Sequence, residues 1–257
     1  MGTIVIFLDQ NSENSMPSAP IHPNDDMFHG SIEHYDSVGS QMAEFGRRAA
    51  ELAGDAEPRI LELPCGYGRV TRKLLDHFDP GRIHVADIMV PAVDFCTSTF
   101  GVHGHYVVDP VYEFRNIESS NFDVALLGSL ITHLSQVNAR SVMNHFFTKL
   151  RRGGVAVVTT HGEKSREHLG GSDIYQVGDA ARQHLLAAYD ANEYGFVNYR
   201  ADHSLEAKTV DYIGNSYGIA MIPTDWVKDV CRENELTIIE HRPGGWDNHQ
   251  DVFFIRR

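Results

Sequence analysis

Cysteine, basic side chains and long apolar runs are all scarce in this chain of 257 residues. Its three cysteines are an odd number without paired spacing, which argues against a disulfide framework and favours a reducing compartment. The net charge of −13 argues against binding to polyanionic nucleic acid. No apolar run reaches the ~20 residues of a membrane helix, and the apolar stretch at 4–8 is too short for a secretory signal. We therefore expect a cytoplasmic protein that binds neither nucleic acid nor a membrane.

The sequence predicts a polar tail followed by one domain. Residues 11–26 are rich in Ser, Asn and Pro, and we expect residues 1–25 to form a flexible N-terminal tail. Apolar side chains from Val38 to Leu52 recur at spacings of three and four residues, which predicts a helix that ends at Gly54. Residues 26–257 are expected to form a single domain, the default for a chain of this length.

Strand and helix patterns alternate from residue 60 onward. Strands that are apolar throughout and alternate with helices indicate a parallel sheet covered on both faces. A short turn at 243–245, without a helix, makes the last strand antiparallel to its neighbour. The predicted class is therefore an α/β, doubly wound sheet of seven strands with an antiparallel last strand. The predicted strands are 60–63, 83–86, 106–108, 124–127, 155–160, 236–241 and 252–255.

The strand ends carry candidate ligand-binding residues, because ligands of open α/β sheets bind beyond the carboxyl ends of the strands. After the first strand, Gly66 and Gly68 let the backbone approach a ligand, and the following helix presents its N-terminal N–H groups. Asp87 follows the second strand, where a carboxylate can bind ribose hydroxyls. Asp109 follows the third strand, where it could accept from a purine amine. Both acids could instead only cap turns, but together the groups favour an adenosine site.

Two residues discriminate between adenosine cofactors. The dinucleotide fingerprint Gly-x-Gly-x-x-Gly requires glycine at position 71, where this chain has Thr71. Glu62, at the start of the glycine turn, suits a ligand that carries an ammonium group. S-adenosylmethionine carries one, so the residues favour it over a nicotinamide dinucleotide.

In their order along the chain, these features resemble the class I S-adenosylmethionine-dependent methyltransferases. The resemblance covers about residues 35–257 apart from one insertion, and Pro64 departs from the commonest motif, which has glycine there. The segments 63–69, 128–134 and 245–251 are similar to a bacterial subgroup that methylates polysaccharides and secondary metabolites. The features that carry the resemblance are Glu62-x-x-x-Gly66-x-Gly68, Asp87, Asp109, Phe122-Asp123, the turn at 150–154 and the antiparallel last strand.

The resemblance implies a Rossmann-like fold that binds S-adenosylmethionine and releases S-adenosylhomocysteine. It implies that the turn from Glu62 to Gly68 holds the methionine part, Asp87 the ribose, and Asp109 with Pro110 the adenine. It also implies that Gly128, Ser129 and Leu130 line the floor beside the sulfonium and that Tyr35 closes over the cofactor. The full set of cofactor residues predicted on this basis is Tyr35, Glu62, Pro64, Cys65, Gly66, Tyr67, Gly68, Arg69, Asp87, Ile88, Asp109, Pro110, Gly128, Ser129 and Leu130.

A hydroxyl acceptor would need a general base, and histidine titrates near neutral pH. Of 15 histidines, three lie just past strand ends on the predicted ligand-binding edge. We predict His161 and His249 as base candidates, with Asp247 as an orienting partner and His133 as the next candidate. Each histidine could instead only bond its own turn or loop. A divalent metal ion is not favoured, because no His-x-x-x-His or comparable ligand spacing occurs.

Residues 163–222 interrupt the alternation of strands and helices. Sixty residues exceed a usual connection, so we expect an insertion with its own structure that forms an acceptor-binding lid. Aromatic rings with polar tips suit stacking on a sugar or an aromatic ring, although they could equally form the insertion's own core. The residues predicted to bind the acceptor are Tyr194, Tyr199 and Tyr217 from the insertion and Trp246 from the last hairpin.

The predicted function is transfer of a methyl group to a hydroxyl of a small molecule or saccharide. Three alternatives stay open at this point: methylation of a small amine, a non-catalytic protein that binds the adenosine cofactor, and a dinucleotide oxidoreductase. Thr71 and the antiparallel last strand argue against the oxidoreductase. A homodimer is compatible with the sequence.

Overall fold

The computed structural model describes residues 20–199 and 217–257. Residues 1–19 of the predicted tail and residues 200–216 of the predicted insertion lie outside the described residues. The strands are β1 (Ile60–Leu63), β2 (Ile83–Asp87), β3 (His103–Tyr106), β4 (Phe122–Leu127), β5 (Leu150–Thr160), β6 (Gly195–Asn198), β7 (Gly218–Met221), β8 (Thr237–Trp246) and β9 (Gln250–Arg256). The helices are α1 (Ile32–Ala53), α2 (Thr71–Leu74), α3 (Val90–Phe100), α4 (Gln136–Phe147), α5 (Glu163–Gly171), α6 (Asp179–Asp190) and α7 (Thr224–Glu233).

Seven strands form one sheet in the order β3-β2-β1-β4-β5-β9-β8. The pairs from β3 to β5 are parallel, whereas β9 is antiparallel to both β5 and β8. The predicted doubly wound α/β sheet with an antiparallel last strand is confirmed. Because β1 and β4 are the central parallel strands, their carboxyl ends lie side by side at the edge where a ligand is expected.

Apolar side chains cover both faces of the sheet, as its continuous apolar strands require. On one face Met42 and Phe45 of α1 belong to the same buried cluster as Ile60 of β1. On the other face Phe146 of α4 and Val230 of α7 belong to a second cluster. The predicted first helix is confirmed, and it ends where Gly54 adopts a left-handed conformation with φ of 69°. Within the described residues, no helix is both long and apolar enough to cross a membrane.

The third strand differs from the prediction. It covers His103–Tyr106 rather than 106–108, and it pairs with β2 from His103 opposite His84 to Tyr106 opposite Asp87. This edge strand is largely exposed and contains polar residues, so it carries no apolar run that would mark it in the sequence. Asp109 consequently lies beyond the strand end, in the irregular connection to β4.

The predicted insertion has a small core of its own. Helices α5 and α6 pack on the antiparallel pair β6–β7 around buried apolar side chains that include Leu169, Leu185 and Met221. Tyr199 belongs to this core. Tyr217 joins the insertion to the main domain through a β-bridge to Leu134. The insertion therefore lies next to the segment that follows β4.

Candidate active site

A cavity of about 230 Å³ opens at the carboxyl ends of β1, β2 and β4. A single water needs roughly 10–15 Å³ by this measure, so the space suits a ligand of many atoms rather than an isolated ion. In the described ranges, no three His, Cys, Asp or Glu side chains are grouped to hold a metal ion. The predicted residues that line the cavity are Glu62, Pro64, Cys65, Gly66, Tyr67, Arg69, Asp87, Ile88, Gly128, Ser129, Leu130, His133, Tyr217 and Trp246.

The glycine turn after β1 is held by the acid that ends β2. The Gly66 N–H donates to one carboxylate oxygen of Asp87 at 2.8 Å, and the Met89 N–H donates to the other at 3.0 Å. Gly66 and Gly68 both have positive φ values, 49° and 79°. A Cβ on Gly68 would also lie 2.5 Å from the Phe100 ring, so this position admits only glycine. The turn can therefore present backbone groups directly to the cavity.

Two buried carboxyl groups face the cavity. Burial raises the pKa of Asp87, although backbone N–H groups of Met89, Gly66 and Ile88 oppose the rise. Burial likewise raises the pKa of Glu62 to about 8, against the lowering effect of the Thr71 hydroxyl, which donates to Glu62 at 2.7 Å. Buried acids with raised pKa values favour a ligand that supplies positive charge or hydroxyl donors. As hydrogen-bond acceptors, the two carboxyl groups fit the ammonium group and the ribose hydroxyls of S-adenosylmethionine.

The cavity also has apolar walls that the sequence did not predict. They are formed by Met89, Val107, Val111 and Phe114, together with Tyr112. Such walls suit a flat heterocycle. All but Met89 belong to the irregular connection between β3 and β4, where no periodic pattern marks a residue as functional. Asp109 and Pro110, which were predicted to hold the adenine, are exposed and do not line the cavity.

His133 is the predicted base candidate that lines the cavity. It ends a short 3-10 turn, Ile131–His133, after β4. Its Nδ1 lies 3.0 Å from the carbonyl oxygen of Gly218 and 3.1 Å from the hydroxyl of Tyr199. The carbonyl can only accept, so it favours the tautomer with the proton on Nδ1 and the lone pair on Nε2, whereas the hydroxyl can bond either tautomer. The ring stacks on Tyr217 at 4.9 Å. Residues of the insertion thus orient the ring of this histidine.

The structure does not bring His161, His249 and Asp247 to the cavity. His161 is fully buried beside it, with Nδ1 bonded to the Ala220 carbonyl at 3.0 Å, and burial lowers its pKa well below the usual value. His249 bonds the Tyr175 hydroxyl at 2.8 Å through Nε2, and burial lowers its pKa as well. Asp247 lies on the outer turn between β8 and β9 and is exposed. A position after a strand therefore brings a residue to the edge of the sheet where the cavity opens, but it does not decide whether the side chain points into the cavity.

The four predicted aromatic residues divide between the cavity and the packing around it. Tyr217 and Trp246 line the cavity, and the Trp246 indole N–H donates to the Val38 carbonyl at 3.0 Å. Tyr194 instead donates to the carbonyls of Ile131 and Leu134, which ties the insertion to the turn before α4. Tyr199 does not line the cavity, but its hydroxyl lies 3.1 Å from Nδ1 of His133.

The segment before α1 covers part of the cavity. Asn24 and Asp25 from the end of the predicted tail line it, as do Asp26 and Met27, and none of the four was predicted. Tyr35 does not line the cavity; its hydroxyl donates to Asp25 at 2.5 Å and so anchors this segment. Burial raises the pKa of Tyr35, and the bond to Asp25 adds to the rise. A polar stretch before the first helix gave no signal for this role.

The chain is similar in fold to known methyltransferases. Residues 61–156 match the family model for a methyltransferase domain. No curated protein matches the chain. Among solved structures, an S-adenosylmethionine-dependent methyltransferase from Clostridium acetobutylicum is 14% identical, with 88% of this chain and 94% of that chain covered and a TM-score of 0.58. The 1,6-didemethyltoxoflavin N1-methyltransferase from Burkholderia thailandensis is 13% identical, with 86% and 79% covered and a TM-score of 0.54.

At such identities the structures show a shared fold, and the family model adds a likeness to a methyltransferase domain over residues 61–156. The predicted Rossmann-like methyltransferase fold and the predicted cofactor, S-adenosylmethionine, are confirmed. The subgroup that acts on polysaccharides and secondary metabolites stays a prediction.

Proposed function

We propose that this chain, whose residues 61–156 carry a class I methyltransferase domain, transfers a methyl group from S-adenosylmethionine to a hydroxyl of a small molecule or saccharide. The observation that supports a hydroxyl acceptor is the position of His133. It lines the same cavity as the buried acids Glu62 and Asp87, and the Gly218 carbonyl beside its Nδ1 favours the tautomer with the lone pair on Nε2. A hydroxyl must lose a proton as it is methylated, and a histidine in this position can accept it.

The residues divide the work of holding the reactants. Glu62 would face the ammonium group of the cofactor and Asp87 its ribose hydroxyls. The cofactor supplies a methyl group on a cationic sulfonium, so the protein itself provides orientation and the removal of a proton. His133 would take the hydroxyl proton on Nε2 while the Gly218 carbonyl stabilises the protonated ring through Nδ1–H. Tyr217, stacked on His133, would form the wall against which the acceptor packs.

A methyl-transfer screen with isotopically labelled S-adenosylmethionine tests this proposal against sugars, phenols and small amines. We expect transfer to a member of the hydroxyl classes. Transfer to amines alone would support the alternative of nitrogen methylation, and cofactor binding without any transfer would support a non-catalytic role.

The variant His133→Asn tests the proposed base. The asparagine amide can still donate to the Gly218 carbonyl, but it cannot accept a proton at neutral pH. We expect kcat with a hydroxyl acceptor to fall about 10²–10⁴-fold, with little change in cofactor affinity. His184→Asn, at an exposed position of α6, is the matched control and should retain full activity. An unchanged kcat in His133→Asn would contradict the assignment of the base.

A further inference from the structure

Ser129 has an uncommon backbone conformation at the floor of the cavity. It follows β4 and has φ of 54°, in the left-handed region that residues other than glycine, asparagine and aspartate rarely occupy. Its neighbours Gly128 and Leu130 line the cavity with it. A residue held in this region needs surrounding contacts that hold it there.

Those contacts form a closed ring of hydrogen bonds with two residues from other strands. The Ser129 N–H donates to the hydroxyl of Thr159 on β5 at 2.8 Å. The Thr159 hydroxyl donates to the side-chain oxygen of Gln250 on β9 at 2.7 Å, and the Gln250 amide nitrogen donates to the Ser129 hydroxyl at 2.9 Å. The amide oxygen of Gln250 can only accept and its nitrogen can only donate, so this orientation of the amide sets the direction of the bonds to Thr159 and Ser129.

The ring also reaches the turn that carries His133. The Ser129 hydroxyl lies 3.1 Å from the hydroxyl of Thr132, which donates to the Ser129 carbonyl at 2.8 Å. Thr159 and Thr132 are fully buried and Gln250 is nearly so. Buried polar networks whose donors and acceptors are all paired hold their members rigidly. The ends of β4, β5 and β9 are therefore fixed to one another directly beneath the cavity.

We propose that Thr159 and Gln250 are positioning residues, which hold Ser129 in its left-handed conformation and so set the cavity floor against which the cofactor binds. The inference deepens the proposed function and rests on its cofactor site, but not on the identity of the acceptor. Neither residue lines the cavity, so both act through Ser129.

Substitution of Thr159 tests the proposal, and Thr160, the next residue in the chain, supplies a control. Thr159→Val keeps the shape of the side chain and removes the hydroxyl that joins Ser129 to Gln250, whereas Thr159→Ser keeps that hydroxyl. Thr160 is equally buried, but its hydroxyl has no hydrogen-bond partner among the described residues, so Thr160→Val removes a group that holds nothing. The measurement is the Kd for S-adenosylhomocysteine by titration calorimetry, at a temperature well below each variant's Tm.

We expect Thr159→Val to raise this Kd about tenfold, the change that corresponds to about 1.4 kcal/mol. Thr159→Ser should stay within about twofold of the wild type, because its hydroxyl can remake the bonds of the ring. Thr160→Val should leave the Kd unchanged. If Thr159→Val does not fold, Gln250→Met serves instead, since it removes the amide from the ring at similar length, and its Kd should rise about threefold.

An unchanged Kd in the valine variant together with a lowered Tm would overturn the proposal, because the ring would then only stabilise the fold. The same result in Gln250→Met would do so if that variant is the one measured. A raised Kd in a protein that methylates no hydroxyl would leave the positioning role intact and contradict the proposed acceptor class. The two proposals therefore fail separately.

Discussion

Replacing Glu62 by glutamine should remove a large pH dependence from the stability of this protein. Burial raises the pKa of Glu62 from 4.5 to about 8. The folded protein therefore binds this proton more tightly than the unfolded protein does. The resulting contribution to the free energy of unfolding is complete below pH 4.5, the pKa in the unfolded state, and is lost as pH rises through about 8, the pKa in the folded state. The full shift corresponds to about 5 kcal/mol, of which about 3–4 kcal/mol is lost between about pH 5 and 8.

Urea unfolding at several pH values, followed by circular dichroism, measures this contribution. It is the difference in the free energy of unfolding between the wild type and Glu62→Gln. The difference should fall by about 3–4 kcal/mol from about pH 5 to 8. Glu167→Gln is the control: Glu167 lies exposed on α5, and Lys164 lowers its pKa. Its titration therefore ends at low pH, and its difference from the wild type should be nearly flat over this range. A flat curve for Glu62→Gln would refute the reasoning, since Glu62 would then be ionised in the folded protein without cofactor.

Two further predictions concern the turn after β1 and the far edge of the sheet. In urea unfolding, Gly68→Ala should destabilise the fold by about 2–5 kcal/mol, because its Cβ would meet the Phe100 ring. Gly101→Ala, at a position that also has a positive φ but has open space around it, should cost about 1 kcal/mol. Equal losses in the two variants would contradict the steric argument. Burial lowers the pKa of His84 to about 4, while Arg59 donates to its Nε2. Relative to His84→Gln, the wild type should therefore lose stability as pH falls from 6.5 towards 4, by about 1–2 kcal/mol after solvent screening, and a constant difference would contradict this.

Much of the fold could be predicted because it depends on local composition. The apolar runs that predict β1, β4 and β5 arise because central parallel strands are covered on both faces. Glu62 is the exception in that pattern, and an acid inside an apolar strand next to a glycine turn is itself a sign of a site. The exposed edge strand β3 was misplaced because nothing buries it.

The choice among the histidines could not be made from the sequence. His133, His161 and His249 all follow strand ends, and no local feature ranks them. What distinguishes them is which one meets Gly218 and Tyr217, more than 80 residues further along the chain from His133. Contacts of this kind depend on how the insertion packs, and the sequence predicted the insertion but not its packing.

By itself, the sequence determined the alternation of strands and helices, the glycine turn, and the acids at the carboxyl ends of β1 and β2. Each depends on the residues beside it or on a spacing of about 20 residues that a βαβ unit fixes. Only the tertiary structure decided that His133 faces the cavity, that the segment before α1 covers it, and that Thr159 and Gln250 hold Ser129. The physical reason is that hydrogen bonds and burial are properties of groups that meet in space, and these groups come from distant parts of the chain.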